Sequence, residues 1–535
     1  MARAKSSPKH HPRRPAKEVP KEPAEKPTSQ ERTSGEHLID HYEYKAGNIP
    51  IRIRIYTKSG EYVPVYEVSI SAISATTEII LERIRKELVN EVSLEIGDIT
   101  DPKRLSDIED TFQRAIGILI KKYFPGTDEE TTSYLTTYLI QKALGMGNVE
   151  NLMEDDQLEE ITINGAHEPV WVYHRKHGWL KTTVRLQSDD QIRHFSSMIA
   201  RKVGRQISVS SPLLDAHLST GDRLNATLQP ITIQGNTMTI RKFASKPWTV
   251  TDLVRNGTVS ASGAALIWEG IQYELSMLVA GGTASGKTSM LNAIANFFPP
   301  NQRIISIEDT HEIQLPKYLH WVPMVTRLAN PEGKGAVTML DLLVNSLRMR
   351  PDRIIVGEIR RKEEAQVLFE AIHTGHSVYA TVHANNTHET VARLTGPPIE
   401  VPRSMLPAIS LIVVQYRNRR SGKRRTYQIA EISEEGNGHV ILQYDVNKDL
   451  LQEVNVSLTA MNTLQEFTGM TEKDIQKDLV EKESILNWMA KHNINDVDMV
   501  GKVMAEFYTN KDALLKDVKA GTVPAYLATP AQKAE

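Results

Sequence analysis

The sequence predicts an α/β protein: a parallel sheet wrapped by helices at its centre, smaller α+β units ahead of it and a helical region behind it. Three observations carry that expectation. Residues 279–290 form a glycine-rich loop that follows an apolar run and opens an amphipathic stretch. Two further apolar runs, residues 303–309 and 353–358, each end in acidic residues. After Asp445 the strand-like patterns give way to apolar residues at helical spacing.

At 535 residues the chain is too long for one core. Lys plus Arg (64) almost balance Asp plus Glu (66), so no global positive field recommends nucleic acid as a bulk partner. The absence of cysteine excludes disulfides, thiolate zinc sites and a cysteine nucleophile. No apolar run reaches the ~18 residues of a membrane span; the stretch from Leu406 to Val414 is half that length and reads as a buried element. The first residues lead into no hydrophobic segment, so no secretory signal is expected and the protein should stay in the cytoplasm.

Residues 1–37, rich in Pro, Lys, Arg, Glu and Ser, cannot offset the entropy of ordering and read as a disordered, mildly basic tail. Residues 38–148 read as a small α+β unit. Ile51, Ile53 and Ile55 alternate with polar residues, Ser59-Gly60 punctuates a hairpin, and Val63, Val65, Tyr66 and Val68 follow; residues 78–91 and 108–124 then carry apolar residues at helical intervals. A second unit, 149–247, shows short strands at 158–164, 170–173 and 179–182. Ser188 and Gln191 have the spacing of a capping box, and Ile192, Phe195 and Ile199 set a helix to about Val203. Residues 248–258 read as a connector and hinge. Residues 259–445 alternate strand and helix patterns around the glycine-rich loop. In the helical region, 446–535, Thr471 and Asp474 are spaced as a capping box, and Ile475, Leu479, Ile485, Leu486 and Met489 mark an apolar face.

Gly281, Gly286, Lys287 and Thr288 complete the G-x-x-x-x-G-K-[ST] pattern of a phosphate-binding loop. Backbone N–H groups of residues 281–289 (Gly281, Gly282, Thr283, Ala284, Ser285, Gly286, Lys287, Thr288 and Ser289) can turn inward on phosphates, Lys287 meets their charge, and the Thr288 hydroxyl can ligate Mg²⁺. ATP and Mg²⁺ are therefore the expected cofactors. Splitting a γ-phosphate also needs a carboxylate for the metal, one for the attacking water, and positive charge at the transition state. Glu308 and Asp309 end one buried strand, Glu358 follows another, and Glu312 lies just beyond the first pair. His373, His376 and His383 could suggest zinc, but their spacing lacks a hydrolase's carboxylate pattern. His383 at a strand end better fits a γ-phosphate sensor, and His373 a structural role.

Together these segments resemble the secretion ATPases of the type II/type IV superfamily, which include type IV pilus motors, type II secretion ATPases, Tad pilus motors and the archaellum assembly ATPase. Gly281 to Thr288 matches the Walker A loop, IISIEDTHE (304–312) the Asp box, LRMRPDRIIVGEIR (347–360) the Walker B signature and TGHSVYATVHA (374–384) the His box. ITING (161–165), PLLDAHLSTGDRLN (212–225) and TIRKF (239–243) resemble the family's N-terminal half. The resemblance implies a RecA-like ATPase domain preceded by a PAS-like α+β domain. It implies Glu358 acting on water, Glu308, Asp309 and Glu312 supporting Mg²⁺ and water, and His383 sensing the γ-phosphate. Arg223, Arg241, Arg348, Arg350 and Arg360 occupy positions of phosphate-closing arginines, some of which act from a neighbouring subunit of a homohexamer. The implied function is a cytoplasmic motor, peripheral to the inner face of the cell membrane, that drives pilin-like or archaellin subunits through a polytopic platform protein. Arg361 stands where many bacterial members have Asp, and the tetracysteine zinc element of many bacterial type II enzymes is missing. VWVYHRKHGW (170–179) and the helical C-terminal region look most like archaeal and Tad-like members, so an archaeal pilus or secretion motor is preferred to the archaellum ATPase. A conjugation-type DNA-transfer ATPase is the rival. Against it stands the near-neutral charge; for it, only the cluster Arg417, Arg419, Arg420, Lys423, Arg424 and Arg425, which an exposed hairpin edge explains equally well.

Overall fold

The computed structural model describes residues 36–70, 73–91, 102–218, 220–243, 246–329 and 333–527. The tail expected over residues 1–37 falls, up to residue 35, outside the described residues.

Strands from residues 36–70 and from residues 158–241 lie in one nine-stranded sheet. Its spatial order is Glu36–Ala46, Ile49–Lys58, Val65–Ile70, Gly178–Arg185, Pro169–His174, Leu158–Asn164, Thr237–Arg241, Arg223–Thr227 and Leu213–His217. The seam is a short parallel pairing of Val65 with Lys181 and Tyr66 with Thr182; every other neighbour is antiparallel. Ile51, Ile53 and Ile55 share a single core with Ile161, Val172 and Ile240. The seam is reinforced where Asp155 accepts hydrogen bonds from the Tyr42 hydroxyl (2.6 Å) and the Tyr66 hydroxyl. Helices Ala75–Glu91, Pro102–Tyr123 and Glu129–Leu144 lay Leu81, Ile84, Ile116, Leu119, Leu135 and Leu139 on that core. The Ser59-Gly60 turn is present, with Gly60 at φ +89°. Ser188 caps helix Asp189–Lys202, its Oγ accepting from the Gln191 N–H at 3.3 Å. The edge strand Glu36–Ala46 has no counterpart in the sequence reading, because most of its side chains are wholly or partly exposed and no apolar alternation marks it.

The second sheet also has nine strands, in the order His320–Val325, Arg303–Glu308, Arg353–Val356, Ser377–Val382, Met277–Gly281, Leu411–Arg417, Arg424–Ile432, Gly438–Asp445 and Leu450–Glu453. The first six run parallel, as the alternation of strand and helix patterns predicts; the last three extend the sheet antiparallel, joined by turns too short for a crossover. The inner parallel strands are buried on both faces, so their sequences are almost continuously apolar, whereas the edge strand His320–Val325 is wholly or partly exposed. Met277, Val279, Leu411 and Val413 face one core while Leu278, Ala280, Ile412 and Val414 face the other.

The expected connector is partly helical. Val250–Arg255 forms a short helix opened by a Thr249–Asp252 capping box, and Val250 and Leu253 are buried in the core of the second sheet. The two halves therefore join ahead of Thr249. The C-terminal helices Thr459–Thr468, Glu472–Lys491 and Val497–Ala520 pack on the same core. The Thr471–Asp474 capping box is formed. No helix among the described residues is long and apolar enough to cross a membrane.

One buried charge network fixes these helices to the sheet domain. Lys482, fully buried, donates to Glu269 on helix Ala261–Gln272 and to Asp478 (2.6 Å), and Lys511 also reaches Asp478. Burial pushes the Glu269 carboxyl above its usual range, against the opposing pull of Lys482. Lys482→Met leaves Glu269 buried without its cation, and loss of one partner of such a pair costs about 3–5 kcal/mol. We expect a matching fall in unfolding free energy in a urea titration; an unchanged midpoint would show that the network does not hold the helices.

Candidate functional site

The glycine-rich loop leaves the carboxyl end of the central strand Met277–Gly281, whose five residues are all buried. Helix Lys287–Ala295 starts immediately after it. Its N-cap is Gly286, held at φ +97° and offering no capping side chain, so the first N–H groups of the helix face the loop. A Cβ on Gly281 would lie 2.8 Å from the Gln415 carbonyl oxygen and against Ser285 Oγ, which explains the glycine as a close-approach position. Ser285 Oγ and Lys287 Nζ both donate to the Gly282 carbonyl, at 2.8 and 3.2 Å, and close the loop on itself. Burial lowers the Lys287 ammonium from its usual range; Arg360 and Arg241 lower it further, and Glu358 and Glu312 oppose them. Thr288 and Ser289 follow in the first turn of the helix.

The acidic residues sit along the same edge of the sheet, but they do not share one environment. Glu308, last residue of its strand, is buried: its Oε1 accepts the N–H groups of Glu312 (3.0 Å) and Ile313 (3.1 Å), and its Oε2 meets His311 Nδ1 at 3.3 Å. That carboxylate shapes the turn carrying Asp309 and Glu312. Asp309 and Glu358 are joined by Arg360, which contacts each at 2.7 Å. Asp309 also accepts from Thr326 Oγ1 at 3.1 Å. The backbone under Glu358 is fixed by Thr381 Oγ1, which donates to the Gly357 carbonyl at 2.5 Å. His383 places Nε2 3.1 Å from the Thr283 hydroxyl of the loop. His376 is turned away: its Nδ1 lies 3.1 Å from the Ala371 carbonyl. His373 ends helix Lys362–His373.

The N-terminal half reaches this edge. Arg223 pairs with Asp215 at 2.8 Å, and its pKa is raised first by that hydrogen bond, with Asp309 adding and Arg360 opposing. Arg241 ends the neighbouring strand and contributes to the field at Lys287. The His217 ring meets the Thr310 hydroxyl at 2.8 Å, and Phe243 stacks on His311. Arg348 and Arg350 are exposed and precede the amino end of strand Arg353–Val356, whereas Glu358 follows its carboxyl end. A four-residue strand spans roughly 13 Å, so within one chain these two arginines stand at the opposite edge from the acids.

Beside the loop lies a cavity of about 180 Å³ lined in part by Trp248, Leu253, Thr258, Met290, Gln415 and Arg424. The sequence reading missed Arg424 as a site residue, placing it only in a basic cluster. In the structure much of that cluster is engaged. Arg417 donates to the Tyr173 hydroxyl at 2.6 Å, Lys423 and Arg425 pair with Asp449 at 2.8 and 2.6 Å, and Arg424 donates to the Ala284 carbonyl at 3.2 Å. Thr381, Thr326 and His217 were also missed, because nothing in one sequence marks a lone hydroxyl or imidazole as a support.

Compared with known proteins, residues 142–453 match the sequence model of a family described as "Type II/IV secretion system protein". A Methanocaldococcus jannaschii protein is 27% identical over 90% of this chain and 90% of its own length. The type IV secretion system protein PtlH of Bordetella pertussis is 30% identical over 50% of this chain and 88% of its own. Among solved structures, the pilus retraction motor PilT with bound ADP aligns at 18% identity and a TM-score of 0.41, over 62% of this chain and 96% of that one.

The two glycines at the head of the loop separate a backbone collision from a soft one. A Cβ on Gly282 meets only the side-chain oxygen of Asn385, which can move, whereas on Gly281 it meets backbone. Gly281→Ala is expected to weaken binding of a fluorescent ATP analogue by about tenfold or more, equal to at least ~1.4 kcal/mol, and Gly282→Ala by much less. Equal losses in the two titrations would contradict this reading of the loop.

Proposed function

Since the chain belongs to the type II/IV secretion system protein family, we propose that it is an ATP hydrolase working as a homohexameric motor, which powers assembly or secretion of type IV pilin-like subunits through a polytopic membrane platform protein. The motor would sit at the cytoplasmic face of the cell membrane, bound peripherally.

One observation carries the proposal. Arg360 bridges Glu358 and Asp309 at 2.7 Å each, at the sheet edge from which the phosphate loop also springs. A phosphate cradle, a cation and two carboxylates on one edge are the parts that phosphoryl transfer to water requires. The residues present fit the expected cofactors: the uncapped helix start and Lys287 suit the phosphates of ATP, and Thr288, Asp309 and Glu312 offer oxygens for Mg²⁺. Bound Mg²⁺ would neutralise charge on the β- and γ-phosphates. Glu358 is the group assigned to orient and deprotonate the attacking water, and to do so it must let go of Arg360, whose guanidinium is then free to meet phosphate oxygens. His383 acts through Thr283 on the loop. Glu308 supports the turn that presents Asp309 and Glu312. Arg223 and Arg241 serve from the N-terminal half, and closure of that half on the nucleotide is the motion that does work. Arg348 and Arg350, at the far edge, are assigned to the site of a neighbouring copy.

A DNA-transfer ATPase of the conjugation type is the second reading, and an archaellum motor a variant of the first. The pairing of Lys423 and Arg425 with Asp449 leaves less free charge for a polyanion and counts against the second reading.

Replacing the general base while sparing the cradle should separate binding from hydrolysis. Glu358→Gln is expected to lower kcat by about 10²–10⁴-fold while ATP still binds, measured by phosphate release and by nucleotide titration; hydrolysis at the parent's rate removes Glu358 from its role. The same variant, purified with ATP and Mg²⁺ from native membranes, should bring a multi-spanning platform protein and pilin-like subunits into the mass spectrum. DNA-processing partners in their place would support the second reading.

A further inference from the structure

We propose that Arg424 is a positioning residue of the nucleotide site, coupling the shape of the phosphate loop to the orientation of the N-terminal half. The inference rests on the nucleotide reading of the loop and adds to it a residue and a route of regulation.

Three observations converge on this side chain. Ala284, in the middle of the loop, sits at φ +58°, a left-handed conformation that a non-glycine residue keeps only where its surroundings hold it. Arg424 supplies such a hold, its Nε donating to the Ala284 carbonyl at 3.2 Å. The other end of the guanidinium approaches Glu159 of strand Leu158–Asn164, its Nη2 lying 3.9 Å from the carboxylate. One planar group therefore touches the loop of one half and the sheet of the other. Arg424 also lines the cavity beside the loop, close to Gly286 and Ser289, so a nucleotide occupying that space meets the arginine that fixes the loop.

The geometry also explains why an arginine is used. A guanidinium has donors on separate nitrogens in a rigid fork, so it can hold a carbonyl with Nε while its terminal nitrogens face a carboxylate. Both Arg424 and Glu159 are partly exposed, so their attraction is weak and easily exchanged for another partner. That weakness suits a coupling contact. When the N-terminal half changes orientation, Glu159 leaves or approaches Arg424, and the hold on Ala284 changes with it. Arg424 begins the strand Arg424–Ile432, whose pairing with Leu411–Arg417 anchors it to the central sheet, so the arginine is presented from a fixed base.

The test compares Arg424→Ala, Arg424→Lys and Glu159→Gln in the full-length protein, using amide hydrogen exchange with and without ATP and steady-state hydrolysis. Without nucleotide, Arg424→Ala should raise exchange at residues 282–286 by about tenfold, and Arg424→Lys, which keeps a donor for the carbonyl, should restore most of the protection. KM for ATP should rise about tenfold in Arg424→Ala with kcat changed less than about twofold, the pattern of lost binding-site order. In the parent, ATP should alter exchange in strand Leu158–Asn164; in both Arg424→Ala and Glu159→Gln that response should vanish. Loop exchange and KM at parental values in Arg424→Ala would overturn the proposal, as would a Glu159→Gln protein that keeps the ATP response. A parent protein that binds no ATP would instead overturn the nucleotide reading, and the ATP-free exchange at the loop would still report whether Arg424 holds Ala284.

Discussion

The register of six parallel strands is the constraint on which the site depends. Ala280 lies beside Val382 on one flank and Val414 on the other, Val356 beside Ala380, and Ile307 beside Val356. Fixing those pairs sends every following residue to one edge: the loop after Gly281, His383 after Val382, Glu358 after Val356 and Asp309 after Glu308. Adjacent strands are spaced by about 4.8 Å, so the acids stand two and three strands from the loop, and Arg360 spans the one-strand gap between Glu358 and Asp309. A slip of one residue in an inner strand would exchange the side chains that its two cores receive and displace the site residue that follows it. Burial on both faces makes such a slip costly, and that is why the chemistry can rely on it.

Charge at this edge is shared between neighbouring groups. Arg360 satisfies two carboxylates at once, and Lys287 is held partly buried within the field of Glu358, Glu312, Arg241 and Arg360. A partly buried ammonium is under-solvated, so an incoming anion gains more there than in water. The two acids Asp309 and Glu358 share the single guanidinium of Arg360 in the same arrangement. Anionic phosphate and carboxylate therefore compete for the same guanidinium, which gives the site two charge arrangements and makes the exchange between them responsive to the ligand.

Much of this was legible in the sequence because the signals were local. A loop with two glycines and a lysine between an apolar strand and an amphipathic helix has one common physical use, and the cappings at Ser188 and Thr471 follow from side-chain reach alone. What escaped depended on contacts distant in sequence. Glu308 reads as one of three strand-end acids, yet its burial and its bonds to the N–H groups of residues 312 and 313 make it a support for the turn. The joining of residues 36–70 to residues 158–241 uses contacts far apart in sequence: two residue pairs between strands, a shared core, and Asp155 reaching tyrosines some hundred positions away. The helix Val250–Arg255 was hidden by its length, too short for a period to register, although Thr249 and Asp252 had the spacing to cap it. Arg424 was visible only as charge; its role is set by which carbonyl lies beneath it.

The contrast between buried and exposed contacts also separates what moves from what stays. Inside each half the joints are buried: Asp155 with Tyr66 in one, and Lys482 with Glu269 in the other. Between the halves they are smaller and nearer solvent, namely His217 to Thr310, Arg424 to Glu159 and Arg417 to Tyr173. Hydrogen bonds and ion pairs exposed to water are worth little net, since water replaces either partner at small cost, whereas breaking the buried joints leaves charge uncompensated. The contacts between the halves are therefore the ones that break at least cost, and the described strands between residues 36 and 241 share one sheet. Among the described residues, the His217 contact ends on Thr310 in the acid turn, where Phe243 also stacks on His311, and Arg424 reaches the loop through the Ala284 carbonyl. A change of charge at that edge therefore reaches contacts between the halves directly.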